Sequence, residues 1–157
     1  MASGDFKWFA QGLHDLGNKL HDLDSDDWRM GIIKSAANSG FDPAVNTAAP
    51  YWTGGSGTTA LGTGEVATGG TSYTGPIVLT SEAWALSATG AAMDVADITL
   101  AQDASGFTNG RWGIVYNNTD ANKRAIGYVD LGSDRSLVAG SLTIQMNASG
   151  ILSLSQA

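Results

Sequence analysis

The chain has 157 residues, enough for one compact domain with its own core and too few for two. Fifteen acidic against 8 basic side chains (thirteen Asp and two Glu) give a net charge of −7 with no basic patch, which disfavours nucleic acid and anionic membranes as partners. Cysteine is absent, excluding disulfides, thiolate catalysis and cysteine-ligated zinc; only 15% of residues are charged, so either partners cover part of the outside or the surface is a Ser/Thr/Gly-rich sheet.

Residues 6–23 carry the strongest helical pattern. Phe6, Phe9, Leu13, Leu16, Leu20 and Leu23 recur three and four apart, which predicts one amphipathic helix stripe. Leu13-His14-Asp15-Leu16 repeats within it as Leu20-His21-Asp22-Leu23. Gly12 and Gly17 each weaken a helix by roughly 1 kcal/mol relative to Ala, and a break near Gly17 is the alternative. An acidic turn over 22–27 leads to a predicted strand over 28–34. Residues 36–72 are rich in Gly, Ala, Ser, Thr and Asn, include Pro43 and Pro50, and contain Gly54-Gly55-Ser56-Gly57-Thr58-Thr59, which predicts a long, loop-rich excursion.

Strand patterns resume over 77–80, 83–87, 93–99 and 111–116. A turn cluster over 117–122, a strand over 125–131 and a turn over 132–134 follow. The chain closes on two apolar runs, 141–147 and 151–155, which read as a hairpin around 148–150. Seven or eight short strands predict a mainly β single domain over 1–157, an antiparallel β-sandwich or barrel-like fold. A helical arm and acidic turn would occupy 1–27 and the β domain 28–157, with its insertion over 36–72. No apolar run approaches the ~18 residues of a membrane span, and Met1-Ala2-Ser3-Gly4-Asp5 has no signal-peptide pattern, so none is expected.

Residues able to carry chemistry are few. His14 and His21 lie seven apart, whereas a helical metal pair needs i, i+4; they read as exposed histidines beside the stripe. Residues 22–27 resemble the start of a calcium loop, but Asp27 and Ile33 stand where glycine and a bidentate glutamate are needed, so a solvated acidic turn is expected. Glu65 and Glu82 are the only glutamates and show no paired-carboxylate setting. Gly62-Thr63-Gly64 is not followed by Gly-Lys-Ser/Thr, and no Gly-x-Ser-x-Gly occurs. No catalytic, cofactor or metal residue is predicted. The sequons at Asn117 and Asn147 read as turn residues. Among the tryptophans, Trp28, Trp84 and Trp112 fall in strand patterns as core, while Trp8 and Tyr51-Trp52 are interface candidates.

Phe6-Lys7-Trp8-Phe9, the acidic turn before Trp28-Arg29-Met30-Gly31-Ile32-Ile33, and the segments Arg111-Trp112-Gly113-Ile114-Val115-Tyr116, Ile126-Gly127-Tyr128-Val129-Asp130-Leu131-Gly132 and 142–152 together resemble small accessory virion proteins of tailed bacteriophages, of the head decoration (cement) type. The resemblance covers both ends, about half of the chain, and rests on strand patterns; the Gly-rich middle has no counterpart. It implies a non-enzymatic protein of the phage head surface, made in the host cytoplasm, that binds the major capsid protein and copies of itself, often as trimers, with no nucleic acid, membrane or small-molecule substrate. Phe6, Trp8, Phe9, Leu13, Leu16 and Leu20, with Tyr51 and Trp52, would then clamp adjacent subunits. A neck or tail component, or a carbohydrate- or receptor-binding β-sandwich of a fibre or spike, are the alternatives.

Overall fold

The structure is a computed structural model that describes residues 6–45, 48–87, 90–147 and 150–155. It is mainly β, with one α-helix among the described residues. Its centre is three long strands, β2 (Trp28–Lys34), β9 (Gly110–Asn117) and β10 (Ala125–Arg135), paired antiparallel. Around them in chain order lie β1 (Phe6–Trp8), α1 (Ala10–Gly17), β3 (Pro50–Tyr51), β4 (Thr59–Ala60), β5 (Ile77–Val78), β6 (Ala83–Ser87), β7 (Gly90–Asp94), β8 (Ile98–Leu100), β11 (Leu142–Ile144) and β12 (Leu152–Ser155). The main sheet has the order β1-β10-β9-β2-β5, so it is open, with no barrel closure.

Alternation along a strand sends successive side chains to opposite faces. Trp28, Met30 and Ile32 of β2 and Val115 of β9 face one core, whereas Ile33, Trp112, Ile114 and Tyr116 face a second. A strand buried on both sides reads as a near-continuous apolar run, as β2 and β9 do. The first face is covered by Met93, Leu100, Leu142, Ile144 and Leu152 from the smaller sheets, β12-β7-β6 and β11-β8. The second is covered by Phe9, Trp52 and Leu61.

The excursion is therefore part of the fold. Trp52 stacks on Tyr116 at 5.2 Å between centroids and 6° between planes, and its backbone N–H donates to Lys123 O at 2.8 Å. It lies so close to β2 that a Cβ on Gly31 would stand 2.1 Å from its ring, which is why the strand carries a glycine there. Further on, Val66 N–H donates to Ile32 O at 3.0 Å. The buried Tyr73 hydroxyl accepts from Ile32 N–H at 2.9 Å and donates to Glu65 Oε1 at 2.8 Å. These bonds continue along the β2 edge beyond Arg29 and Met30, where β5 pairs. Asp103 fixes the end of the excursion: its Oδ2 accepts from the N–H groups of Thr71 and Ser72 at 2.5 and 2.9 Å, and this charge-stabilising set holds its carboxyl down to about 2.

Three sequence expectations are corrected. Residues 6–8 form no helix: Phe6-Lys7-Trp8 alternates with period two and pairs with Val129, Tyr128 and Gly127 of β10. The helix starts only after Phe9, whose N–H donates to Ile126 O at 3.0 Å, and it ends at Gly17, as in the alternative with a break there and not at residue 23; Lys19 then takes φ 60°. Within the expected arm, residues 6–8 contribute an edge strand and Phe9 packs against the sheet. The two closing runs form no hairpin either. β11 pairs with β8 and β12 with β7, because the predicted 93–99 strand breaks at 95–97 and each half takes one closing strand. Asp97 Oδ1 holds Met146 N–H at 2.7 Å and Gly150 turns the chain at φ 96°. Finally, the turn expected at 132–134 lies inside β10, as a register irregularity between Asp130 and Arg135 with Gly132 at φ 80°. Ala148 and Ser149 of the expected hairpin loop lie outside the described residues.

Tyr73→Phe should leave Ile32 N–H and the half-buried Glu65 carboxyl without their partner and lower unfolding stability by about 1–3 kcal/mol. Urea unfolding checks this; unchanged stability would mean that the edge contact contributes nothing.

Candidate functional site

The residues singled out from sequence separate into inner and outer sets. Phe9 packs at 5.3 Å on Tyr128, and a Cβ on Gly12 would meet Ile126 O at 2.4 Å, so α1 lies directly on β10. Phe9 and Trp52 are engaged inside the chain's own second core. Phe6 and Trp8 are half-buried and meet edge to face at 6.0 Å. Tyr51 is half-buried, bridged to Arg124 beside the β9–β10 turn. Leu16 is half-buried, while Leu13 and Leu20 are exposed. Of the tryptophans expected in the core, Trp28 and Trp112 are buried and Trp84 is half-buried.

Leu16 and Leu20 line a cleft of about 480 Å³. Leu16, Leu20 and Leu23 form one wall; Trp84 of β6 and Leu154 of β12 form the other. Lys19, Asp22 and Asp26 stand at its polar side. Its origin is local: α1 ends at Gly17, Lys19 turns the chain through a left-handed conformation, and residues 20–23 then line the cleft with Trp84 and Leu154. The sequence missed the part from β6 and β12. The alternation Trp84-Ala85-Leu86 and Leu152-Ser153-Leu154 was the available signal, since it places large apolar residues on one face.

Behind the cleft lies a polar knot. Asn117 Nδ2 donates to His21 Nδ1 at 3.1 Å and to Asp26 Oδ2 at 2.5 Å, while its Oδ1 accepts from Asp120 N–H at 3.0 Å. With Nδ1 accepting, His21 is neutral and carries its proton on Nε2. Asp27 accepts from Arg29 Nη2 at 2.8 Å and from Asn118 Nδ2 at 2.6 Å. Asp22 Oδ1 accepts from Asp24 and Ser25 N–H at 3.0 and 3.2 Å. The acidic turn expected to be merely solvated is thus stitched to the β9–β10 turn. His21, expected at the surface, is buried; His14 is exposed. Asp15, also buried, accepts from Gln11 Nε2 at 2.7 Å and lies 3.6 Å from Arg124 Nε. Among the described residues no group of three or more His, Asp or Glu is arranged to hold a metal ion. The arrangement is an apolar cleft backed by a hydrogen-bonded turn.

Compared with models of known protein families, with curated proteins and with solved structures, the chain matches none of them.

Burial lowers the His21 pKa from its ordinary 6.5, opposed by the carboxylates of Asp15, Asp120 and Asp26. The unfolded chain therefore binds the proton first, and stability should be constant above 6.5 and fall as pH drops below it. Glu65, raised by burial above 4.5, acts in the opposite sense, gaining stability as pH falls towards 4.5. The comparison must isolate one group: His21→Gln should flatten the loss of melting temperature just below neutrality. An identical slope in the variant would contradict the buried neutral imidazole.

Proposed function

We propose that this chain is a non-enzymatic structural protein of a tailed-phage virion, a head decoration protein that docks on major capsid subunits. The observation that carries the docking role is the apolar end of the molecule: Leu20 and Leu154, 41% and 42% exposed, flank the cleft, and Leu86 stands 92% exposed on the same face as Trp84. Large apolar side chains gathered at one end of a chain with net charge −7 are expected where another surface covers them. The strand patterns of both ends supply the virion context. The smaller sheets stacked on the main sheet fit the sandwich expected of such a protein.

Other features favour this reading over its rivals. A glycan platform needs exposed aromatic faces, but Trp28 and Trp52 are buried, Trp112 packs edge-on to Tyr128 at 5.7 Å, and Trp8 and Trp84 are half-buried. Glu65 is bound to Tyr73, and Glu82 lies beside Trp28 N–H, so both glutamates are in structural contacts. In this reading docking centres on Leu16, Leu20 and the cleft, in place of the wider set that also held Phe6, Trp8, Phe9, Leu13, Tyr51 and Trp52.

Co-sedimentation with capsids assembled from the major capsid protein of the same genome tests the reading. The intact chain should bind, and Leu20→Glu should weaken binding at least about tenfold, or 1.4 kcal/mol, without changing the melting temperature. No binding by the intact chain, or equal binding by the variant, would contradict it.

A further inference from the structure

The three-stranded sheet has an unusual outer strand. Among the described residues β6 pairs only with β7, so its other side carries outward-pointing N–H and C=O groups. Its sequence, Ala-Trp-Ala-Leu-Ser, has no charge, proline or glycine to discourage pairing with another chain. The other edges differ. β5 is only two residues long, β1 presents the exposed Lys7, and Ser153 of β12 borders a cleft of about 230 Å³ that the chain's own Phe6, Val129 and Met146 help to line.

The register defines two apolar rows on one face. Trp84, Met93 and Leu152 stand side by side across β6, β7 and β12, and so do Leu86, Ala91 and Leu154. Met93 and Leu152 are buried under the chain's own core, whereas Leu86 and Leu154 project beyond it. A second β6, laid antiparallel about a two-fold axis at Ala85, sets Trp84 opposite Leu86 of the second copy and Ala85 opposite its equivalent. Each projecting row then continues into the core-packed row of the other copy, and Leu86 of the second copy lies at the lip of the cleft beside Trp84. No charged residue of β6 faces another, so the strand is complementary to itself.

We propose that β6 is the surface through which two copies of this chain associate, edge to edge about a two-fold axis at Ala85. This does not rest on the virion reading, which expects copies of the chain to associate but names no surface for it; Leu86 then faces the second copy, and Leu20 and Leu154 remain for the capsid. The contact is short, so the dimer should form reversibly with concentration.

Sedimentation equilibrium of the full chain from micromolar to hundreds of micromolar is the test, with two variants. Leu86→Lys, at an exposed position, should keep the far-ultraviolet spectrum and melting temperature but weaken the dimer at least about tenfold. Because the chain lacks cysteine, A85C should cross-link to itself under a short thiol cross-linker, well above the level given by V78C on exposed β5. A chain that stays monomeric throughout, a dimer or larger oligomer indifferent to Leu86→Lys, or A85C cross-linking no better than V78C would overturn the proposal. Pairing of β6 with a different protein in place of a second copy would also overturn it.

Discussion

Trp28, Met30 and Ile32 point one way from β2 while Ile33 points the other, and β9 divides Val115 from Trp112, Ile114 and Tyr116 in the same manner. A sheet that is apolar on both faces must be covered twice, and burial of apolar area is the largest favourable term available to a chain without disulfides. That constraint explains the layout. The smaller sheets built from residues 83–100 and 142–155 close one face; Phe9 and the excursion close the other. Where β5 ends, Glu65 and Val66 of the excursion and Tyr73 just after it satisfy the exposed edge of β2.

The strands of the centre were legible because their apolar runs are dense: β2 lies where the sequence placed it, and β9 and β10 are found with only their ends extended. Partner choice was less legible. Residues 141–155 look like a hairpin because adjacency in sequence favours local pairing, yet Asp97, Gly150 and the break at 95–97 direct each strand to a different neighbour. The N-terminal stripe misled for a related reason. Phe6, Phe9, Leu13 and Leu16 satisfy a helical spacing while Phe6 and Trp8 also satisfy a strand spacing, and pairing with β10 decides between them.

The same competition governed the candidate site. Trp52 was visible as an aromatic in a Gly-rich stretch, but its destination depends on Gly31, more than twenty residues away, whose missing side chain makes the space. The cleft was half legible, through Leu16 and Leu20; Trp84 and Leu154 join it only through the register of β6, β7 and β12. Asn117, which holds His21 and Asp26 together, looked like an ordinary turn residue because its partners lie more than ninety residues earlier.

Native-state hydrogen exchange tests most directly whether the Gly-rich excursion is part of the sheet's cover. The amides of Trp52 and Val66, bonded to Lys123 O and Ile32 O, should exchange only by global unfolding, at the rate of Ile114 and Val115 in β9. Fast exchange at Trp52 and Val66 while β9 stays protected would show that the second face is closed without them, and would contradict this view of the fold.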